Sequence, residues 1–314
     1  MNASDLDNLV ELSAGELRLR LAPAAGGSIA GFTREWTEQG LERRLDWLRP
    51  ATQKALRERN PLGMASFPLL PFCNRIRDGR ASFEGREIRF PPNHPSDPSP
   101  HPLHGIGWLR PWDVVSTGAA QAELALRVDA SQAWPWRFSA RQEFRLTARG
   151  LAVTMTLTND DTAAMPAGIG AHPYFPHTPG TRLTSPVAAM WLGDAQLMPT
   201  ALEVNEVAAK LRSGVVLSEL DLDNNFTGWE HETLIEWPAD ELGPRRSLVM
   251  QAEAPLDYFV LYCPRGYDHF CAEPVSQCTD WLNLVEKYGP DAVGGTRLEP
   301  GRQLRASFAL TPRW

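Results

Sequence analysis

Nowhere does the chain hold the roughly 20 consecutive apolar residues that a membrane-spanning helix requires. Residues Met1 to Ala22 contain no basic segment followed by an apolar run, so a secretory leader is not expected. Cysteine is sparse: Cys73, Cys263, Cys271 and Cys278 include no C-x-x-C pair, which in a chain of 314 residues reads as free thiols rather than a disulfide framework. A cytoplasmic address is the expectation. Positive charge is not in excess either. The balance of 31 basic and 38 acidic residues gives −7, which disfavours nucleic acid or an anionic membrane as a general partner. There is no G-x-S-x-G elbow, no P-loop and no H-E-x-x-H. Gly168-Ile169-Gly170 is no dinucleotide loop, because Pro173 and the missing third glycine rule out the helix that should follow. Internal repeats and low-complexity tails are absent as well. Helix signals are few; Ala51 to Arg59, stopped by Asn60-Pro61, is the one short candidate.

What is present is alternation. Leu17, Leu19 and Leu21 alternate with Glu16, Arg18 and Arg20, and Leu124, Leu126 and Val128 with Glu123, Ala125 and Arg127. Val153, Met155 and Leu157 do so with threonines, and Leu304, Ala306, Phe308 and Leu310 repeat the pattern near the end. Each run predicts a half-buried strand. Ala148-Arg149-Gly150 suits a hairpin turn and Glu299-Pro300-Gly301 a turn before the last strand. The proline-rich run Pro91 to Pro100 reads as a surface loop. Many short strands separated by glycine and proline predict an all-β protein, a sandwich or a barrel, with few short helices. Eleven tryptophans suit either core packing or aromatic platforms for a sugar.

Several segments carry chemistry. Phe67 to Phe72 is apolar and extended, and it delivers Asn74 and Arg75, whose forked donors suit sugar hydroxyls or a carboxylate. In His101-Pro102-Leu103-His104-Gly105, the glycine allows close backbone approach to His104. With His94, the three histidines invite a metal reading, but prolines flank His94 and His101 and no zinc signature is present, so no metal is expected. His172 lies in Ala171-His172-Pro173-Tyr174-Phe175. Asp223 opens Asp223-Asn224-Asn225-Phe226; a calcium loop starting at Asp221 would need glycine where Phe226 stands. Glu273 ends the apolar run Phe270 to Ala272, where desolvation would raise its pKa and suit it to a general base. Each segment has a plain structural alternative: a strand-closing arginine, a satisfied core histidine, a surface turn, an edge-strand glutamate. Together, two histidines and a carboxylate make an acid/base set that needs neither metal nor covalent nucleophile.

In this order along the chain, Asn74-Arg75, Leu103-His104-Gly105, His172-Pro173-Tyr174-Phe175, Asp223 to Phe226 and Glu273-Pro274 resemble the aldose 1-epimerase (galactose mutarotase-like) family. The resemblance implies one domain over 1–314, a large antiparallel β-sandwich of the galactose mutarotase-like kind, and interconversion of the α and β anomers of a free aldose without cofactor. By position it makes Glu273 the base, His172 the acid and His104 the histidine that orients the sugar. Arg75, Asn74 and Asp223 become the residues that bind hydroxyls. It requires Glu273 ionised and His172 cationic together, each favouring the other's charge. The pattern departs at Ile106, Ala171, Pro173 and Ala81, which leaves the acid/base set intact and the sugar unidentified. The partner expected is a small sugar, and the assembly a monomer or homodimer. Three other functions are weighed against this one. A hexose-6-phosphate mutarotase would use Arg77, Arg80 and Arg86 for phosphate; a non-catalytic sugar-binding protein would share the scaffold; a metal enzyme would use His94, His101 and His104.

Overall fold

In the computed structural model, residues 9–240 and 243–314 are described. Two large antiparallel sheets dominate. One has nine strands, in the order Val215–Val216, Arg182–Thr184, Glu232–Trp237, Arg246–Ala252, Gln303–Arg313, Gly150–Asn159, Phe138–Thr147, Gln121–Val128 and Asp113–Thr117. The other runs Pro199–Glu203, Ala189–Gly193, Leu222–Thr227, Tyr258–Cys263, His269–Val275, Gly170–Ala171 and Pro68–Leu69, with Tyr174–Pro176 also paired to His269–Val275. A four-stranded sheet, Val10 to Asp46, stands beside them.

The alternating runs are strands of the nine-stranded sheet, apart from Leu17–Ala22 in the four-stranded one. Phe138–Thr147 and Gly150–Asn159 pair from Thr147 opposite Gly150, so Ala148-Arg149 is the turn expected there. The inward residues Phe144, Val153, Met155 and Phe308 join Phe226, Phe259, Phe270 and Ala272 of the opposite sheet in one buried cluster. Both sheets are open at their edges and share that core, which makes the architecture a sandwich and not a barrel. The helices are few and short, none longer than eight residues among those described. The expected one is Gln53–Glu58, where Thr52 Oγ1 accepts from the Ala55 amide and Arg59 closes the end in a left-handed conformation. Among the described residues no helix is long and apolar enough to cross a membrane.

The second sheet is apolar on both faces. Along Tyr258–Cys263 and His269–Val275, Phe259, Leu261, Phe270 and Ala272 enter the main core. The alternate residues Tyr258, Val260, Cys271 and Val275 form a separate cluster with Phe67, Leu69, Trp108 and Tyr174 on the far side. Nine of the eleven tryptophans are buried; the exceptions are Trp36 and Trp314. They serve packing, and none lines the candidate site described next.

Phe259, fully buried between Phe226 and Trp229, tests this layering. Phe259→Ala is expected to lower unfolding free energy by about 3–5 kcal/mol. In urea titrations the midpoint should fall with an unchanged slope. A loss below about 1 kcal/mol would contradict its placement in the shared core.

Candidate active site

On the far face of the second sheet lies a cavity of about 280 Å³, at the small end of ligand pockets. Its walls include all six residues singled out from the sequence: Asn74, Arg75, His104, His172, Asp223 and Glu273.

Strand register brings His172 and Glu273 together. Gly170 stands opposite Val275 and Tyr174 opposite Cys271. The same register carried through the interruption at Pro173 puts His172 opposite Glu273. The His172 Nε2 to Glu273 Oε1 distance is 3.3 Å. On its other side, the His172 amide donates to the Phe67 carbonyl and its ring stacks on Phe67 at 4.6 Å between centroids. Tyr174 stacks against the same imidazole at 4.7 Å. Glu273 is 2% exposed and His172 8%.

His104 and Asn74 hold each other. The His104 amide donates to the Asn74 carbonyl at 2.8 Å, and the Asn74 amide donates to His104 Nδ1 at 3.1 Å. Since Nδ1 accepts, neutral His104 carries its proton on Nε2. Both residues sit at positive φ, 56° for Asn74 and 58° for His104, a conformation ordinary side chains avoid. Asn74 Oδ1 accepts from the Arg75 amide and from Arg75 Nη1 at 2.9 and 3.2 Å, and Arg75 Nη1 lies 3.7 Å from Asp223 Oδ2. Buried Asp280 anchors the segment from outside: its amide donates to the Arg75 carbonyl and its Oδ1 accepts from the Arg77 amide.

Burial controls the protonation of the site. It pushes the Glu273 carboxyl well above its usual range, with Asp223 adding to the effect and Arg75 opposing it. Burial also pulls His172 down to about 3, helped by the charges of Arg49 and Arg75. His104 is held well below its ordinary value by burial and by His172 and Arg75. Burial thus disfavours the charged forms of His104, His172 and Glu273 alike. Loss of water works against the ion pair expected from the sequence, while the 3.3 Å approach of the two groups favours it. Glu273 Oε2 and His172 Nδ1 are buried and make no hydrogen bond among the described residues.

The metal alternative fares differently. His101 lies away from the cavity, its Nδ1 accepting from the Asp78 amide, and His94 Nδ1 accepts from the Ser96 and Asp97 amides. The atoms that do approach one another within 4.8 Å belong to His172, Cys271 and Glu273. A cation there would have to displace protons from a thiol and a carboxyl whose pKa values burial raises. Nor do the arginines of the phosphate alternative reach the cavity: Arg77 pairs with Asp194 and Asp280, while Arg80 and Arg86 lie on the hairpin Arg80–Arg89. Sequence reasoning missed Arg49, Tyr262 and His269 as wall residues. His269 and Tyr262 could have been found, because each lies an even number of residues from Glu273 or from a strand neighbour on its face. Arg49 has no local motif.

The sequence profile of the aldose 1-epimerase family matches residues 23–311. YphB of Escherichia coli K12, an uncharacterized protein, is 30% identical over 318 residues, covering 96% of this chain and 98% of YphB. YihR of the same organism, also uncharacterized, is 27% identical over 54% of this chain and 56% of its own. The crystal structure of a candidate aldose 1-epimerase from Escherichia coli K12 matches with a TM-score of 0.83 at 28% identity, over 98% and 99% of the two chains. A galactose mutarotase-like protein from Clostridium acetobutylicum shares the fold, with a TM-score of 0.82 at 18% identity over 97% and 95%. Since the family profile runs unbroken through every segment that lines the cavity, the chain belongs to the aldose 1-epimerase family.

Proposed function

We propose that the protein interconverts the α and β anomers of a free aldose by acid/base opening and closure of the sugar ring. The observation that carries this is the buried Glu273 carboxyl, with one oxygen facing His172 at 3.3 Å and the other without a partner, at a cavity of monosaccharide size.

The reaction needs two proton-transfer groups and one proton between them. The carboxyl proton passes across the 3.3 Å gap to His172, leaving a carboxylate and an imidazolium. Glu273 then takes the proton from the anomeric hydroxyl, the C1–O1 bond becomes a carbonyl, and the C1–O5 electron pair leaves on the ring oxygen. His172 supplies that oxygen with a proton. After rotation about C1–C2, His172 takes the proton back as O5 attacks the other face, and Glu273 returns its own to O1. No net proton is consumed. Burial strengthens both partners for this task, since a raised carboxyl binds a proton avidly and a depressed imidazolium gives one up readily. Neutral His104 can donate from Nε2 to a sugar oxygen without titrating. Arg75, Asn74 and Asp223 supply donors and an acceptor for ring hydroxyls. Tyr174 and Tyr262 give the cavity its aromatic walls.

Polarimetry of freshly dissolved α-glucose and α-galactose at low buffer concentration tests the assignment. The parent protein should accelerate mutarotation, and Glu273→Gln should lower kcat by about 10²–10⁴-fold. Undiminished acceleration in that variant, or none in the parent with any aldose, would refute the proposal. A second expectation concerns pH. A second proton must go onto His172, which is held to about 3, and the last proton must leave a raised carboxyl. Therefore kcat/KM should show no acid limb near 6.5, the ordinary histidine value; its acid limb should lie at about 3, and its alkaline limb above the usual carboxylate range. An acid limb centred near 6.5 would show that His172 titrates as an ordinary histidine and is not the acid.

A further inference from the structure

The cavity is electrically lopsided. Arg75 has Asp223 for company and Glu273 faces His172. Arg49, on another wall, has no carboxylate within ion-pair distance among the described residues; the one carboxylate on that side that feels its charge, Asp268, is bonded to His269 and turned to solvent. Its Nη2 donates to the carbonyls of Leu62 and Met64 at 2.8 and 2.9 Å, and its Cζ lies 3.8 Å from the centre of the Tyr174 ring. Its Nε is buried and makes no hydrogen bond. Two carbonyls and an aromatic face fix the guanidinium in place but do not neutralise it. In a chain of net charge −7, a held and unpaired cation at a ligand cavity points to an anion.

Register shows at which end of the ligand the anion would sit. Asp223, Tyr262, Cys271 and Tyr174 stand opposite one another across four neighbouring strands. Three inter-strand steps of ~4.8 Å put Tyr174 roughly 14 Å from Asp223 along that row. Arg49 lies against Tyr174, and Tyr174 also contacts the rings of His172 and His269, at 4.7 and 5.6 Å. Arg49 thus belongs to the His172 side of the cavity and not to the Asp223 side. The charge effects agree: Arg49 depresses His172 and His269, whereas the groups acting on Glu273 are Asp223 and Arg75. With His172 at the ring oxygen, the nearest substituent away from the anomeric carbon is the exocyclic group on C5.

Resting on the mutarotase reading above, we propose that the aldose taken by this site carries an anionic exocyclic group, a carboxylate or a phosphate, seated on Arg49 beside His269 and Tyr262. The Arg49 side chain then selects among aldoses, while Glu273 and His172 perform the same chemistry on each.

Polarimetric kcat/KM values for glucuronate, glucose 6-phosphate and glucose, at matched ionic strength, test this with the parent protein, Arg49→Gln and Arg49→Lys. One anionic sugar should exceed glucose by about 10–100-fold, the range of a charge-assisted hydrogen bond. That ratio should collapse in Arg49→Gln, chiefly through KM, survive in part in Arg49→Lys, and shrink with added salt. A lead for glucuronate identifies a carboxylate, and a lead for glucose 6-phosphate a phosphate. Glucose equal to or better than both, or a ratio unchanged in Arg49→Gln, would overturn the proposal and leave Arg49 a clamp on the Leu62 and Met64 carbonyls. If Arg49→Gln does not fold, the salt dependence of the ratio in the parent and its value in Arg49→Lys decide instead. Acceleration of none of the three sugars would defeat the mutarotase reading itself, and the proposal with it; acceleration of glucose alone would defeat only the proposal.

Discussion

Everything at the site depends on one strand having two dry faces. In most sandwiches the outer face of a sheet meets water, and a glutamate there is an ordinary solvated carboxylate. Here His269–Val275 sends Phe270 and Ala272 into the main core, while Cys271, Glu273 and Val275 enter a second apolar cluster covered by Phe67, Trp108 and Tyr174. Glu273 is therefore a carboxyl group deprived of water, and each electrostatic property of the cavity follows from that. Ionising such a group without a partner costs several kcal/mol even after relaxation, so the fold carries a liability that packing elsewhere offsets. The positive φ angles of Asn74 and His104, the two residues that close the cavity from the opposite side, add strain in the same place.

That arrangement also explains how much of the molecule the sequence revealed. Period-2 alternation is visible only where one face of a strand is wet, and the runs at Leu17, Leu124, Val153 and Leu304 are of that kind. The strands that build the site, Tyr258–Cys263 and His269–Val275, are apolar on both sides and read as featureless runs. They announced burial without saying which residue faced which way. Gly170–Ala171 and Pro68–Leu69 are two-residue strands with no periodicity at all. Yet their pairing sets His172 opposite Glu273. The six polar wall residues were legible because they lie in short motifs whose order resembles a family. Arg49 was not, since its role comes from the approach of Tyr174, Leu62 and Met64, all distant in sequence. The arginines that cluster in sequence, Arg77, Arg80 and Arg86, look outward instead: local density of charge is no guide to which cation a fold turns toward a cavity.

The protonation state is where sequence reasoning and structure part most instructively. Two opposite charges brought to 3.3 Å attract strongly, and from the sequence an ion pair is the natural expectation. Removing both groups from water works against that pairing, because desolvation penalises each charge separately while the attraction is shared. For a reaction that begins and ends with the same proton count, this does no harm. A pair sharing one proton, bound firmly by the carboxyl and given up readily by the imidazole, would suit the proposed ring opening better than a pair locked as a salt bridge, whose separation would add to the barrier in both directions.

The two cations of the cavity fit the same logic. Arg49 and Arg75 both lower the proton affinity of His172. Arg75 lies 3.7 Å from the Asp223 carboxyl, which opposes its influence. Arg49 has only the exposed and more distant Asp268 to oppose it, and an anionic group seated on it would cancel part of its field at the imidazole. Binding of such a ligand would then raise the affinity of His172 for a proton at the moment when a sugar oxygen lies beside it. A neutral sugar would leave that field in place and only deepen the burial. The residue that selects the ligand would in this way also tune the acid, and charge complementarity at one end of the cavity would be felt as catalysis at the other.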